Sequence, residues 1–143
     1  MNNQTINHIS IIGGAGHVGL PLGLAFASKN FKIHLIDKNK KALKSIKQNK
    51  MPFLEIGAKK LLQKANKKKL FFYENDLSNI SKSKYIIICI GTPINKKLKP
   101  DLISFYGLIK KLKNRINKKQ ILVIRSSVLP GTNQKIKEIL KNK

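Results

Sequence analysis

Acidic residues are scarce in this chain: six Asp and Glu stand against 30 Lys and Arg in 143 residues, a formal charge of +24. Cysteine is scarcer still. The single Cys excludes a disulfide framework and any Cys-based metal cluster, and fits a reducing compartment. Trp is absent and aromatic residues make up only 6%. No apolar run approaches the ~20 residues that cross a bilayer. The residues from Met1 to Asn7 lack the basic and apolar regions of a signal peptide. A cytoplasmic protein with no membrane partner is therefore expected. The length suits one domain with one core, and 41% hydrophobic residues can fill it, which argues against disorder throughout.

The shortage of arginine qualifies the charge. Only Arg115 and Arg125 carry the bidentate fork favoured for phosphate and base recognition; every other cation is Lys. The lysines also fall on polar helix faces. Between Phe105 and Ile116, the residues Phe105, Leu108, Ile109, Leu112 and Ile116 make one apolar stripe, with Lys110, Lys111 and Lys113 largely outside it. A solvated basic surface, in a sequence also rich in Ile and Asn as an A/T coding bias would make it, is preferred to a nucleic-acid partner. A basic nucleic-acid binder is the competing reading and would show steep salt dependence.

Strands and helices alternate along the chain. His8–Ile12 reads as a buried strand, Val18–Ser28 as a helix and Lys32–Ile36 as a second strand. Lys38–Lys50 is helical with Leu43 and Ile46 inward. Met51–Gly57 breaks the pattern, and Ala58–Asn66 forms a further helix with Leu61, Leu62 and Ala65 inside. Leu70–Tyr73, Tyr85–Ile90 and Gln120–Ile124 supply three more strands. Asn95–Pro100 is a polar loop, Asp101 an N-cap for the helix after it, and a last helix starts near Thr132. This alternation predicts an α/β fold: a Rossmann-type doubly wound parallel sheet of about five strands, covered on both faces. Dinucleotide domains of this kind usually have six strands, and the final helix meets no closing Gly before Lys143, so a truncated sheet is expected. Residues 1–143 read as one such domain, with no internal repeat.

The first strand runs into Gly13-Gly-Ala-Gly-His-Val-Gly19, which contains G-x-G-x-x-G at Gly14, Gly16 and Gly19. Gly14 is assigned the tight turn, Gly16 the close approach of backbone to a pyrophosphate, and Gly19 the packing of helix on strand. The helix N-terminus offers free N–H groups to phosphate. Asp37 ends the second strand about 20 residues on, where an acid meets the adenosine ribose. Its charge repels a 2′-phosphate and so favours NAD over NADP, which neighbouring Lys38 softens. A plain helix N-cap is the alternative role for Asp37. Unusual turn chemistry stands after the first, fourth and fifth strands, at Gly14–Gly19, Gly91-Thr92-Pro93 and Arg125-Ser126-Ser127. All three places are carboxyl ends, where ligands bind such sheets.

Together these segments resemble the N-terminal NAD-binding domain of the UDP-glucose/GDP-mannose dehydrogenase family, the nucleotide-sugar 6-dehydrogenases. The resemblance rests on GGAGHVGLPLGLAFA (Gly13 to Ala27), MPFLEIGA (Met51 to Ala58), IGTPINKKLKPDL (Ile90 to Leu102) and RSSVLPGT (Arg125 to Thr132), in that order. The first two look most like the branch acting on UDP-N-acetylmannosamine-type sugars. The resemblance implies NAD contacts at Gly14, Ala15, Gly16, His17, Val18 and Gly19, with Asp37 on the ribose. It adds Gly91, Thr92, Pro93 and Ser127 around the pyrophosphate and nicotinamide ribose. Ala42 stands where the family often has a basic residue, and Asn133 and Gln134 where a Glu often follows Pro-Gly-Thr.

The family oxidises the primary alcohol of a UDP-sugar to a carboxylate in two hydride transfers, through a cysteine thioester, as in hexuronate formation for polysaccharide biosynthesis. The resemblance places that cysteine in central and C-terminal domains absent here. This chain is thereby expected to carry no catalytic residue, to be inactive alone, and to meet a UDP-sugar, or to dimerise, only within a full-length protein. Cys89 lies in an apolar strand and reads as a small buried hydrophobe. His17 reads as pointing aside in preference to acid–base work. His8 and His34 read as packing or surface, and Glu55 as a cap for the helix at Ala58 in preference to a substrate contact. The alternative function is a stand-alone nucleotide-sensing module, which would not need the Ile90–Leu102 and Arg125–Thr132 segments.

Overall fold

The computed structural model describes residues 7–94 and 101–141. The expected polar loop at 95–100 lies outside the described residues, as do residues 142–143 of the expected last helix and the first six residues. Five strands form one parallel sheet: β1 (His8–Ile12), β2 (Lys32–Ile36), β3 (Phe71–Glu74), β4 (Tyr85–Ile88) and β5 (Ile121–Ile124). Their order is β3-β2-β1-β4-β5. The chain moves outward from β1 to β3, then crosses to β4 on the other side of β1. The sheet order therefore reverses between β1 and β4, and the loops leaving their carboxyl ends diverge to open a crevice.

Apolar residues point to both faces, as two-sided burial of a parallel sheet demands. Ile9, Ile11, Ile33 and Leu35 pack under α1 (Gly19–Ser28), α2 (Lys40–Lys47) and α3 (Ala58–Lys67). Ile12, Ile36, Ile86 and Ile88 pack under α4 (Ile103–Lys113) and α5 (Thr132–Leu140), which contribute Phe105, Ile109, Leu112 and Ile136. The layers are α/β/α.

Local differences from the sequence reading have simple causes. In α3 the buried side is Ala58, Leu62 and Ala65, while Leu61 is exposed, so the helix is turned to bury Ala58 in its place. That helix starts on Gly57 at φ +78 with no side-chain cap. Glu55 contributes its backbone carbonyl to the Ala58 amide (3.2 Å), and its exposed carboxylate caps nothing. Asp101 acts one residue earlier than expected: Leu102 is the N-cap of α4, and Asp101 Oδ1 accepts from the Ile103 amide at 2.9 Å. A short 3-10 turn, Ile80–Lys82, seats buried Ile80 under the crossover to β4, and no periodicity in the sequence announces it. β5 forms an edge among the described residues, and its Ile121 and Val123 remain 45% and 38% exposed.

Candidate functional site

The glycine turn is built differently from its motif reading. The residue that turns the chain is Gly13, at φ +84, where a Cβ would sit 2.7 Å from the Cys89 carbonyl oxygen. The amides of Gly13 and Gly14 both donate to the Ile36 carbonyl, at 2.9 and 3.1 Å, and tie the turn to the end of β2. Gly14 is a packing glycine: a Cβ there would meet Leu35 Cα at 2.9 Å. Gly19 packs on Gly13, with a Cβ only 2.2 Å from its carbonyl oxygen, so helix is pressed on turn as expected. Gly16 differs. A Cβ there would meet only the Gly13 oxygen at 3.3 Å, which leaves its outer side bare.

Beyond Gly16 the amides of His17, Val18 and Gly19 find no acceptor among the described residues, as befits the first turn of a helix. They constitute a set of donors that suits an anion. Asp37 stands beside this turn. Its Oδ2 accepts from the Ala15 amide at 3.0 Å and its Oδ1 from the Asn39 amide at 2.9 Å. The alternative role as helix N-cap falls to Asn39, whose side chain accepts from the Ala42 amide at 3.0 Å. Each carboxylate oxygen of Asp37 keeps a further lone pair for hydroxyl donors.

A cleft of about 800 Å³ opens over the carboxyl ends of β1 to β4. Gly13 and Gly16 line it from the turn, Asp37 and Lys38 from the end of β2, and Cys89, Ile90 and Gly91 from the end of β4. Its far walls are Asn75, Asp76 and Leu77 beyond β3, and Leu108 and Lys111 on α4 with Arg115 just past the end of that helix. Sequence reasoning missed these two walls. The signal was available in Glu74-Asn75-Asp76, polar residues at a third carboxyl end facing the same crevice. Hydrogen bonds from Ser78, followed by the charge of Arg115, hold the Asp76 carboxyl below its ordinary range.

Other expected residues lie outside the cleft wall. Thr92 Oγ1 donates to the Ser127 carbonyl at 2.8 Å, and Ser126 Oγ donates to the Ile90 carbonyl at 2.7 Å, so the loops after β4 and β5 are laced together. Pro93 is exposed beside them. The His17 ring turns to the side and stacks on Phe53, with ring centres 4.0 Å apart. Cys89 needs correcting: the strand ends at Ile88, and Cys89, half-buried, is one of the residues that line the cleft. Burial pushes it above its ordinary pKa, against the pull of Arg125, which keeps it a poor nucleophile.

His8 and His34 also exceed their sequence reading. His34 Nδ1 lies 2.6 Å from Glu74 Oε1, and His34 Nε2 lies 2.9 Å from His8 Nδ1, so three strands are cross-linked by one polar array. Among the described residues, no group of three His, Cys, Asp or Glu side chains is placed to hold a metal ion. No helix there is long and apolar enough to cross a membrane.

The family model for the NAD binding domain of the UDP-glucose/GDP-mannose dehydrogenase family matches residues 7–143. The chain belongs to that family. UDP-glucose 6-dehydrogenase TuaD of Bacillus subtilis is 30% identical over 134 residues, covering 93% of this chain and 29% of that protein. An uncharacterised protein of Methanocaldococcus jannaschii, MJ1054, is 34% identical over 137 residues, covering 94% and 15%. Among solved structures, GDP-mannose dehydrogenase of Pseudomonas aeruginosa superposes with a TM-score of 0.85 at 27% identity, over 94% of this chain and 33% of that one. This UDP-glucose/GDP-mannose dehydrogenase domain thus spans about a third or less of the relatives it matches, and corresponds to their NAD-binding part. Five strands around a β1/β4 switch point, expected from the sequence, are the family's fold.

Proposed function

We propose that this domain holds NAD for a nucleotide-sugar 6-dehydrogenase, which converts the primary alcohol of a UDP-sugar to a carboxylate. The observation that carries the reading is the meeting of bare Gly16 backbone and Asp37 at one cleft, next to a helix start whose His17, Val18 and Gly19 amides meet no acceptor among the described residues. The amides of His17, Val18 and Gly19 would take the pyrophosphate, and Asp37 would take the adenosine ribose hydroxyls. Gly91 would border the dinucleotide, with Thr92, Pro93 and Ser127 in the laced loops beyond it. Bound there, NAD supplies the hydride acceptor. In this reading the residues of this chain bind and orient, and burial, which raises the Cys89 pKa, makes that thiol a poor nucleophile.

Sugar contacts and the reactive cysteine belong, in this reading, to further domains of the kind that the longer relatives possess. The exposed Ile121 and Val123 of β5 support it, since an apolar sheet edge is usually covered. Dimerisation would likewise need those domains, and a cytoplasmic setting belongs to the same reading. The test is to mix the chain with NAD and UDP-glucose or UDP-N-acetylmannosamine and follow reduced cofactor by absorbance. No reduction is expected from the chain alone. Sustained turnover would place the sugar chemistry within these residues and overturn the division of labour.

A further inference from the structure

The glycine turn and Asp37 account for one side of the cleft. The opposite side, formed by the end of β3 and by α4, still has to be explained. The Asp37 amide donates to the Glu74 carbonyl at 3.0 Å, so Asp76, two residues further on, begins next to the ribose-binding acid. Leu77 and Leu108 give this end of the cleft apolar walls fit for a flat ring. Asp76 and Arg115 line it as well. Their charges interact, yet among the described residues no ion pair joins them. Asp76 Oδ1 accepts from the Ser78 amide at 2.8 Å, which fixes the carboxylate in a tight turn, and an ionised carboxylate still has acceptor sites to spare.

A base attached to a ribose at Asp37 has this end of the cleft as its nearest apolar slot. A carboxylate only accepts hydrogen bonds, so it welcomes an exocyclic amino group and repels a carbonyl oxygen at the same place. A planar guanidinium stacks on aromatic faces. We propose that Asp76 reads the 6-amino group of the cofactor's adenine while Arg115 lies across the ring, making the domain select adenine over 6-oxopurine dinucleotides. The assignment rests on the NAD reading above and adds the residue that sets base specificity.

The test compares NAD with nicotinamide hypoxanthine dinucleotide, which carries an oxygen in place of the amino group, by titration calorimetry on the 143-residue chain. Wild type should bind NAD about tenfold or more tightly than the hypoxanthine analogue, the scale of one charge-assisted hydrogen bond. Asp76→Asn keeps an acceptor for the Ser78 turn and gains an amide donor for the oxygen. It should bring the two affinities to within about threefold. Equal binding of both dinucleotides by wild type, or a preference that survives Asp76→Asn, overturns the assignment while leaving the cofactor reading intact. A wild-type chain that binds neither dinucleotide overturns both.

Discussion

The Ala15 amide donates to Asp37 Oδ2 across 3.0 Å, joining the glycine turn to the end of β2 through the side chain that is proposed to meet the ribose. One carboxylate thus braces the turn and presents lone pairs to the cleft. Positioning of the proposed pyrophosphate donors and of the proposed ribose acceptor is a single structural event, so damage to either should be felt at both.

The glycines differ in what they tolerate. Gly19→Ala places a Cβ against Gly13 backbone, which no side-chain rotation relieves, whereas a Cβ at Gly91 meets nothing within 4 Å. Gly19→Ala should lower unfolding stability by about 1–3 kcal/mol or more, as overpacking does, and Gly91→Ala should leave it within about 0.5 kcal/mol. Urea denaturation followed by circular dichroism measures both. Equal effects would contradict the pressed contact of turn and helix.

Cys89 offers a reporter of the cleft. The residue is half-buried and lines the cleft beside Gly13, and burial holds its thiol above its usual pKa. Alkylation by iodoacetamide at pH 8 should be slower than for a free thiol, and saturating NADH should slow it further. Full reactivity in the presence of NADH would mean that dinucleotide does not cover this position.

Acid should weaken the sheet through His8. Burial, with the charges of His34, Lys32 and Lys82, lowers its pKa below the ordinary 6.5, so the unfolded chain takes up a proton more readily than the folded one. The stability this contributes is complete above about pH 6.5 and is lost as pH falls from there through the folded value. His8→Gln should flatten this part of the melting temperature profile between pH 7.5 and 5.5. A variant profile parallel to wild type would contradict the protonation argument.

Much of this was legible before any coordinates. The strands announced themselves because both faces of a parallel sheet are buried, and Tyr85–Ile88 or Lys32–Ile36 can hardly be anything else. Asp37 was legible because its place depends only on the strand end and the glycine spacing. What escaped were features set by three-dimensional register. In the pair Gly13-Gly14 the sequence does not say which residue turns; the approach of Cys89 decides it. His8, His34 and Glu74 are distant in the chain and meet only because β1, β2 and β3 align His8 with Lys32 and His34 with Phe72. Ala58 is buried and Leu61 exposed because the rotation of α3 about its axis is set by the packed fold and not by its apolar spacing alone.

Titration of NADH into wild type and Asp37→Ala, read by cofactor fluorescence with circular dichroism confirming the fold, tests the central claim most directly. Saturable binding by wild type and a loss of about tenfold or more in the variant are predicted, because the substitution removes a charged acceptor and frees the turn. Identical affinities in the two proteins, or no saturable binding by either, would contradict it.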